Sequence, residues 1–271
     1  MSWWLTDFPP YSIPANGEPG IGAVDLVLRG VVAAWPEKMA HQFMVANTSR
    51  IWTSIDTGMD ACYTSALHTP QRVKEAYLSD VFMLPPMQLV VRKDRLASVP
   101  RNANGEVEFA ALLARQDIKG ILVSGRAYGL ALDAVIAGNK HNDHLTFSNA
   151  KVLGANIFKM IGAGRVDYTL DYDFVLAYQT KDTATLDALT TLPIDIANVP
   201  LVGSFACPRT PWGKKMIERI DHIVSQLAQD AHYRDQFEHW LTPRTKSLYA
   251  VKFDDFYKNR AKPVSITTDT Q

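Results

Sequence analysis

Residues Asp60 to Asp80 read D-A-C-Y-T-S-A-L-H-T-P-Q-R-V-K-E-A-Y-L-S-D, and this stretch decides how the rest of the chain is understood. Ala61 to Leu67 are mostly small or apolar and suit a buried strand, which Thr69-Pro70 ends. Thr69 can cap a helix that begins at Pro70, since proline in the first turn gives up an amide that has no partner there. Arg72 then falls in the first turn, where the helix dipole favours anions. A planar guanidinium beside first-turn amides suits a carboxylate or phosphate. Spacing alone favours a plainer assignment, a surface arginine paired with Glu75 or Asp80.

Outward from this stretch, the chain reads as alternating strands and helices. Trp3–Thr6 is a first strand, followed by the loop Asp7-Phe8-Pro9-Pro10-Tyr11. Gly22 to Trp35 places Val24, Leu28, Val31 and Val32 on one helical face and includes Asp25. Phe43–Ala46 reads as a strand and Ser49–Ile55 as a short helix. Met87–Arg92 is an apolar β-prone run, and Glu106–Gln116 reads as a helix. Gly120–Val123 followed by Ser124-Gly125-Arg126-Ala127 reads as strand, glycine turn and helix start, with Gly125 able to bring backbone close to a ligand. Helices are expected over Val152–Gly162, from Phe174, over Ala184–Leu189 as a short helix or loop, and from Pro211, where Ile217, Ile220, Val224 and Leu227 form one stripe. His141 and His144 sit near metal-ligand spacing, but a solvated loop is the favoured reading and no metal is assigned. The tail after Lys262 is polar enough to be disordered.

T-P-Q-R and Y-L-S-D in the opening stretch, and G-R-V-D at Gly164–Asp167, come in the order found in one family. The chain resembles the type II periplasmic solute-binding proteins, the family of the polar amino-acid receptors. The resemblance runs from Trp3 to Trp240 as scattered short motifs. It implies an α/β, two-lobed fold with two hinge-crossing strands: residues 1–91 and 200–271 form lobe 1, and residues 92–199 form lobe 2. Carried over by position, it implies a ligand carboxylate held by Arg72, with Ser65, Leu67 and Thr69 beside it. The Gly125, Arg126 and Ala127 turn contacts the ligand from the second lobe, and Tyr11 packs a ring on it, with a core ring as the alternative for Tyr11. Leu67 lacks the family's usual hydroxyl. Arg126 replaces a small hydroxyl residue and hints at a more anionic or bulkier ligand.

Asp171 and Tyr172 complete the implied ligand set. Amino-acid receptors of this family place an aspartate five residues after the aspartate of the G-R-x-D strand, and the fifth residue after Asp167 is Tyr172. Asp171 and Asp173 stand one place to either side, and one residue of shift in a strand reverses the face. Common amino acids are therefore expected to bind poorly compared with a carboxylate on an aromatic or extended apolar body. Cys62 and Cys207 are the only cysteines. Two buried free thiols are one reading. The family layout, with both residues on lobe 1 strands, allows a disulfide, and both readings stand.

The resemblance implies a non-enzymatic receptor, a monomer without cofactor, serving the membrane permease of an ABC-type importer. Two alternatives accompany it. One is a dehydratase-like enzyme acting on cyclic acids, for which His68 and Asp171 are the nameable acid or base residues. The other is the extracellular sensor domain of a signalling protein. Lys and Arg balance Asp and Glu at 28 each, so nothing in the charge calls for nucleic acid or an anionic membrane. No apolar run reaches the roughly 18 residues of a membrane span. The start, M-S-W-W-L-T-D-F, has neither the basic region nor the apolar segment of a signal peptide. The resemblance implies a periplasmic or extracellular protein whose export signal is absent from this chain, with a cytoplasmic relative as the alternative.

Overall fold

The computed structural model describes residues 1–149, 154–180 and 187–262. The sequence readings at 152–153, at 184–186 and beyond Lys262 lie outside the described residues. The chain divides into two compact units, the first made of Met1–Leu84 and Pro200–Gln271 and the second of Pro85–Val199.

The first unit carries a five-stranded sheet in the order β2-β1-β3-β10-β4. Its strands are β1 (Ser2–Leu5), β2 (Gln42–Val45), β3 (Ala61–Leu67), β4 (Ala76–Leu84) and β10 (Leu201–Pro208). β1, β2 and β3 run parallel, and the returning β10 is antiparallel to both β3 and β4. The helices α1 (Ala23–Ala33), α2 (Thr48–Asp56), α3 (Pro70–Glu75), α8 (Pro211–Leu227), α9 (Ala231–Glu238) and α10 (Pro243–Arg260) belong to the same unit. Helices on both faces explain why β1 and β3 read as continuous apolar runs rather than alternating ones.

Helix starts follow their capping residues. Asn47, Thr69, Thr210 and Thr242 each accept an amide from three residues on, and proline opens α3, α8 and α10. Asp25 supplies the third residue of α1 and is fully buried, taking hydrogen bonds from the Ser12 hydroxyl and the Ile13 and Gly22 amides.

The organising stretch departs from its reading after Glu75. α3 is only six residues long, and Ala76–Leu84 is a strand paired along β10. Helix α10 was not legible either. Its buried stripe of Phe253, Tyr257 and Arg260 is sealed by a non-local ion pair: Arg260 Nη2 donates to Asp221 Oδ1 at 2.8 Å, and both side chains are almost wholly buried.

The second unit carries a sheet in the order β7-β6-β8-β5-β9. It is built from β5 (Gln88–Arg92), β6 (Gly120–Val123), β7 (Leu145–Ser148), β8 (Tyr168–Asp171) and β9 (Leu189–Pro193). β6, β7 and β8 are parallel, and β5 is antiparallel to β8 and β9. This corrects the expected boundary after residue 91. Both edges of β5 are hydrogen-bonded inside the second unit, so the chain changes unit at Leu84–Pro85. The helices here are α4 (Phe109–Leu113), α5 (Leu130–Gly138), α6 (Ala155–Gly162) and α7 (Asp173–Thr180), with a 3-10 turn over Lys93–Ser98 in the polar stretch.

Candidate ligand site

In the first unit, the Thr69 hydroxyl accepts the Arg72 amide at 3.2 Å, as the capping argument requires. The Arg72 guanidinium lies over the Trp52 ring of α2, 3.6 Å from its centroid, and its Nη1 donates to Glu75 Oε2 at 2.5 Å. The pairing expected from spacing alone, Arg72 with Glu75, is therefore present.

The register of β3 against β10 shifts between Tyr63 and Ala66, and both of these residues pack in one buried cluster with Trp52. Tyr63 packs edge-on against Trp52 with ring centroids 6.0 Å apart, which places Arg72 on the same side of the sheet. The Ser65 hydroxyl is buried and has no hydrogen-bond partner.

Trp52 is the residue sequence reasoning missed. Its signal was a tryptophan between Ile51 and Ile55 on the buried face of α2, which reads as core until Arg72 is laid on it. Tyr11, expected against the ligand, is fully buried in the first unit with Phe8, Phe82 and Phe237 edge-on to it. That is the core alternative. The ring found against Arg72 is Trp52.

His68 follows β3 directly. Its Nδ1 is 2.6 Å from Asp80 Oδ1, and the same oxygen accepts the Ser204 hydroxyl at 2.7 Å. The hydrogen bond to Asp80 raises the His68 pKa, against burial, which lowers it. Ser204 is tied to the carboxylate and not to the imidazole, so these three groups do not form a nucleophile with its base.

In the second unit, Gly125 adopts φ +73°, left-handed backbone that favours glycine, and so turns the chain sharply after β6. Ala127 is half-buried beyond it. Arg126 reaches the end of the neighbouring β8, where its Nη2 and Nη1 donate to Asp171 Oδ1 and Oδ2 at 3.0 and 3.3 Å. Side-chain exposure is 9% for Arg126 and 2% for Asp171. Asp171 Oδ1 also accepts the Tyr172 amide at 2.9 Å. Burial would lower the Arg126 pKa, but the adjoining Asp171 more than offsets it and the net shift is upward. The Tyr128 ring lies 5.4 Å from the guanidinium and the Tyr172 ring 5.8 Å. Burial pushes the Tyr128 phenol up to about 12. Arg126 is therefore charge-paired within its own unit.

The two cysteines are joined: Cys62 on β3 and Cys207 on β10 form a disulfide across the antiparallel pair, with Cα atoms 4.3 Å apart. Among the described residues no three His, Cys, Asp or Glu side chains gather as a metal site would need, and no helix is long and apolar enough to cross a membrane. A recess of about 330 Å³ lined by Glu18, Pro19, Arg29, Val32, Ala33 and Phe43 shares no residue with the positions above.

No family model matches the sequence, and no curated protein matches it. Solved structures do match. One is a histidine kinase sensor domain with similarity to periplasmic binding proteins, 14% identical, TM-score 0.67, over 89% of this chain and 95% of that one. Another is an amino acid ABC transporter substrate-binding protein from Streptococcus pneumoniae bound to L-arginine, 14% identical, TM-score 0.65, over 89% and 93%. A third is an ancestral amino-acid-binding protein described as a precursor of cyclohexadienyl dehydratase, 19% identical, TM-score 0.63, over 89% and 95%. With two five-stranded mixed α/β sheets and neighbours of this kind along about nine-tenths of its length, the chain has the type II periplasmic-binding-protein fold.

Proposed function

We propose that this protein is a solute-binding receptor for a small carboxylate-bearing molecule, which it closes upon and delivers to the membrane permease of an ABC-type importer. The observation that carries the reading is Arg72. Its guanidinium lies 3.6 Å from the centroid of the Trp52 ring with the side chain 13% exposed, and its amide is accepted by the capping Thr69 hydroxyl.

The two arginines differ in what a ligand must displace. The Arg72–Glu75 contact is an i,i+3 pair with side chains 13% and 28% exposed. Such pairs contribute about 0.3–0.5 kcal/mol, so a bidentate ligand carboxylate outcompetes Glu75 easily. The Arg126–Asp171 pair is bidentate and buried, and separating its members costs about 3–5 kcal/mol. Arg72 is therefore the anion receptor, and the Thr69 hydroxyl that accepts its amide fixes its place at the start of α3.

A sensor domain would use the same binding step, and a sensor domain is among the structural neighbours. The dehydratase-like alternative rests on the His68–Asp80 contact and predicts turnover of cyclic acids on incubation. Native mass spectrometry of protein purified without added ligand should reveal a co-purifying small acid. Solution scattering should show the radius of gyration falling on saturation. A protein that retains no small molecule, binds none of a panel of carboxylates and shows an unchanged scattering curve is not this receptor.

A further inference from the structure

The sheet of the first unit ends at β2, which is outermost and pairs only with β1. The Gln42 amide donates to the Met1 carbonyl and the Ala46 amide to the Leu5 carbonyl. In a parallel ladder the even-numbered residues of β2 therefore face β1, and the amides and carbonyls of Phe43 and Val45 point out from the sheet. Among the described residues no backbone group outside β1 pairs with this edge. The strand, Q-F-M-V, carries none of the proline, lysine or bulge that usually blunts an edge, and Val45 is 43% exposed.

Alternation sets Phe43 and Val45 on the α1 side of the sheet and Met44 on the α2 side, where it packs against the cluster of Ile51 and Trp52. Beside Phe43 is the recess of about 330 Å³, walled by Val32 and Ala33 of α1. Arg29 and Glu18 also line it. Arg29 Nε donates to the Pro19 carbonyl at 3.1 Å, and among the described residues neither Arg29 nor Glu18 belongs to an ion pair.

We propose that this edge joins a second copy of the chain, with β2 antiparallel to β2 about a two-fold axis at Met44. In that register Phe43 of each copy stands opposite Val45 of the other, and each pair exchanges both of its backbone hydrogen bonds. An aromatic ring opposite a β-branched residue is a favourable cross-strand pair, and the apolar recess beside Phe43 receives the facing valine. The recess carries one unpaired charge of each sign. Two-fold symmetry presents Arg29 of either copy to Glu18 of the other, so the surface is complementary to itself. The inference departs from the monomer that the family resemblance implied, and it does not depend on the carboxylate site.

Sedimentation velocity on the purified protein, from about 1 µM to about 1 mM, should show monomer passing into dimer, as a small interface of modest affinity requires. Val45→Pro removes only an outward amide and an exposed side chain, which an edge strand tolerates. It should weaken dimerisation at least about tenfold, since the amide is lost once in each copy. Arg29→Glu and Glu18→Arg should each weaken the dimer alone, while an equal mixture of the two variants should restore it, because every contact across the axis then pairs opposite charges. Both side chains are exposed, so this arm stands if Val45→Pro does not fold. Protein that stays monomeric at every concentration overturns the inference. So does a dimer that survives Val45→Pro in folded form, or single charge variants whose mixture dimerises no better than either alone.

Discussion

Arg72→Ala removes the guanidinium that the proposed function depends on, and its two consequences separate cleanly. For stability, the losses include one cation over Trp52 at 3.6 Å, about 0.5–2 kcal/mol, and one partly exposed i,i+3 ion pair, about 0.3–0.5 kcal/mol. These two come to about 1–2.5 kcal/mol and lower the melting temperature by about 2–10 °C, leaving a folded protein. For binding, truncating one partner of a desolvated charge pair costs about 2–5 kcal/mol, or roughly 30- to 4,000-fold in Kd. Arg72→Lys keeps the charge but loses the planar fork and its fit to Trp52, so it should fall between wild type and alanine. Glu75→Gln removes the competing carboxylate and should tighten binding about twofold. Isothermal calorimetry with 3-phenylpropionate, beside thermal melts of all four proteins, measures both quantities. Unchanged affinity in Arg72→Ala refutes the site. Lost affinity accompanied by a melting shift far beyond the range above would make Arg72 structural.

Three further outcomes follow from the geometry. Replacing Cys62 and Cys207 by serine opens a bridge spanning 145 residues, worth up to about 5 kcal/mol by chain entropy, and the urea midpoint should fall accordingly. Two freely alkylated thiols in unreduced native protein would contradict the bridge. The His68 pKa is raised in the folded state, so its contact with Asp80 contributes stability that is fully present below the ordinary value near 6.5 and is lost as pH rises through the folded pKa. His68→Gln should abolish that slope in stability measured from pH 5.5 to 8.5, and an identical slope in the variant would refute the assignment. Arg260→Met leaves Asp221 buried without its cation, a loss of about 3–5 kcal/mol visible in denaturant titration. A near-neutral effect would show that α10 is held by its apolar stripe alone.

Local chemistry was legible in the residues themselves. Thr69 before Pro70 specified a cap, and three-residue spacing specified the Arg72–Glu75 pair, because both depend only on neighbours along the chain. The short motifs, through their resemblance to the type II periplasmic solute-binding proteins, implied a two-lobed α/β fold. What required the tertiary structure are meetings between distant residues. The 45 residues from Arg126 to Asp171 give no hint that adjacent strands bring them together and cancel the charge that Arg126 alone would add. The strand from Ala76 to Leu84 is one because β10 returns to pair with it, and the end of helix α3 cannot be read without that partner. Cys62 and Cys207 left two readings open until the antiparallel pairing of β3 and β10 set them opposite each other. Trp52 and Arg72 met only when the chain folded the guanidinium over the indole ring. Capping and short spacings are encoded within a turn or two of the backbone, whereas charge neutralisation and stacking depend on which elements the hydrophobic core brings side by side.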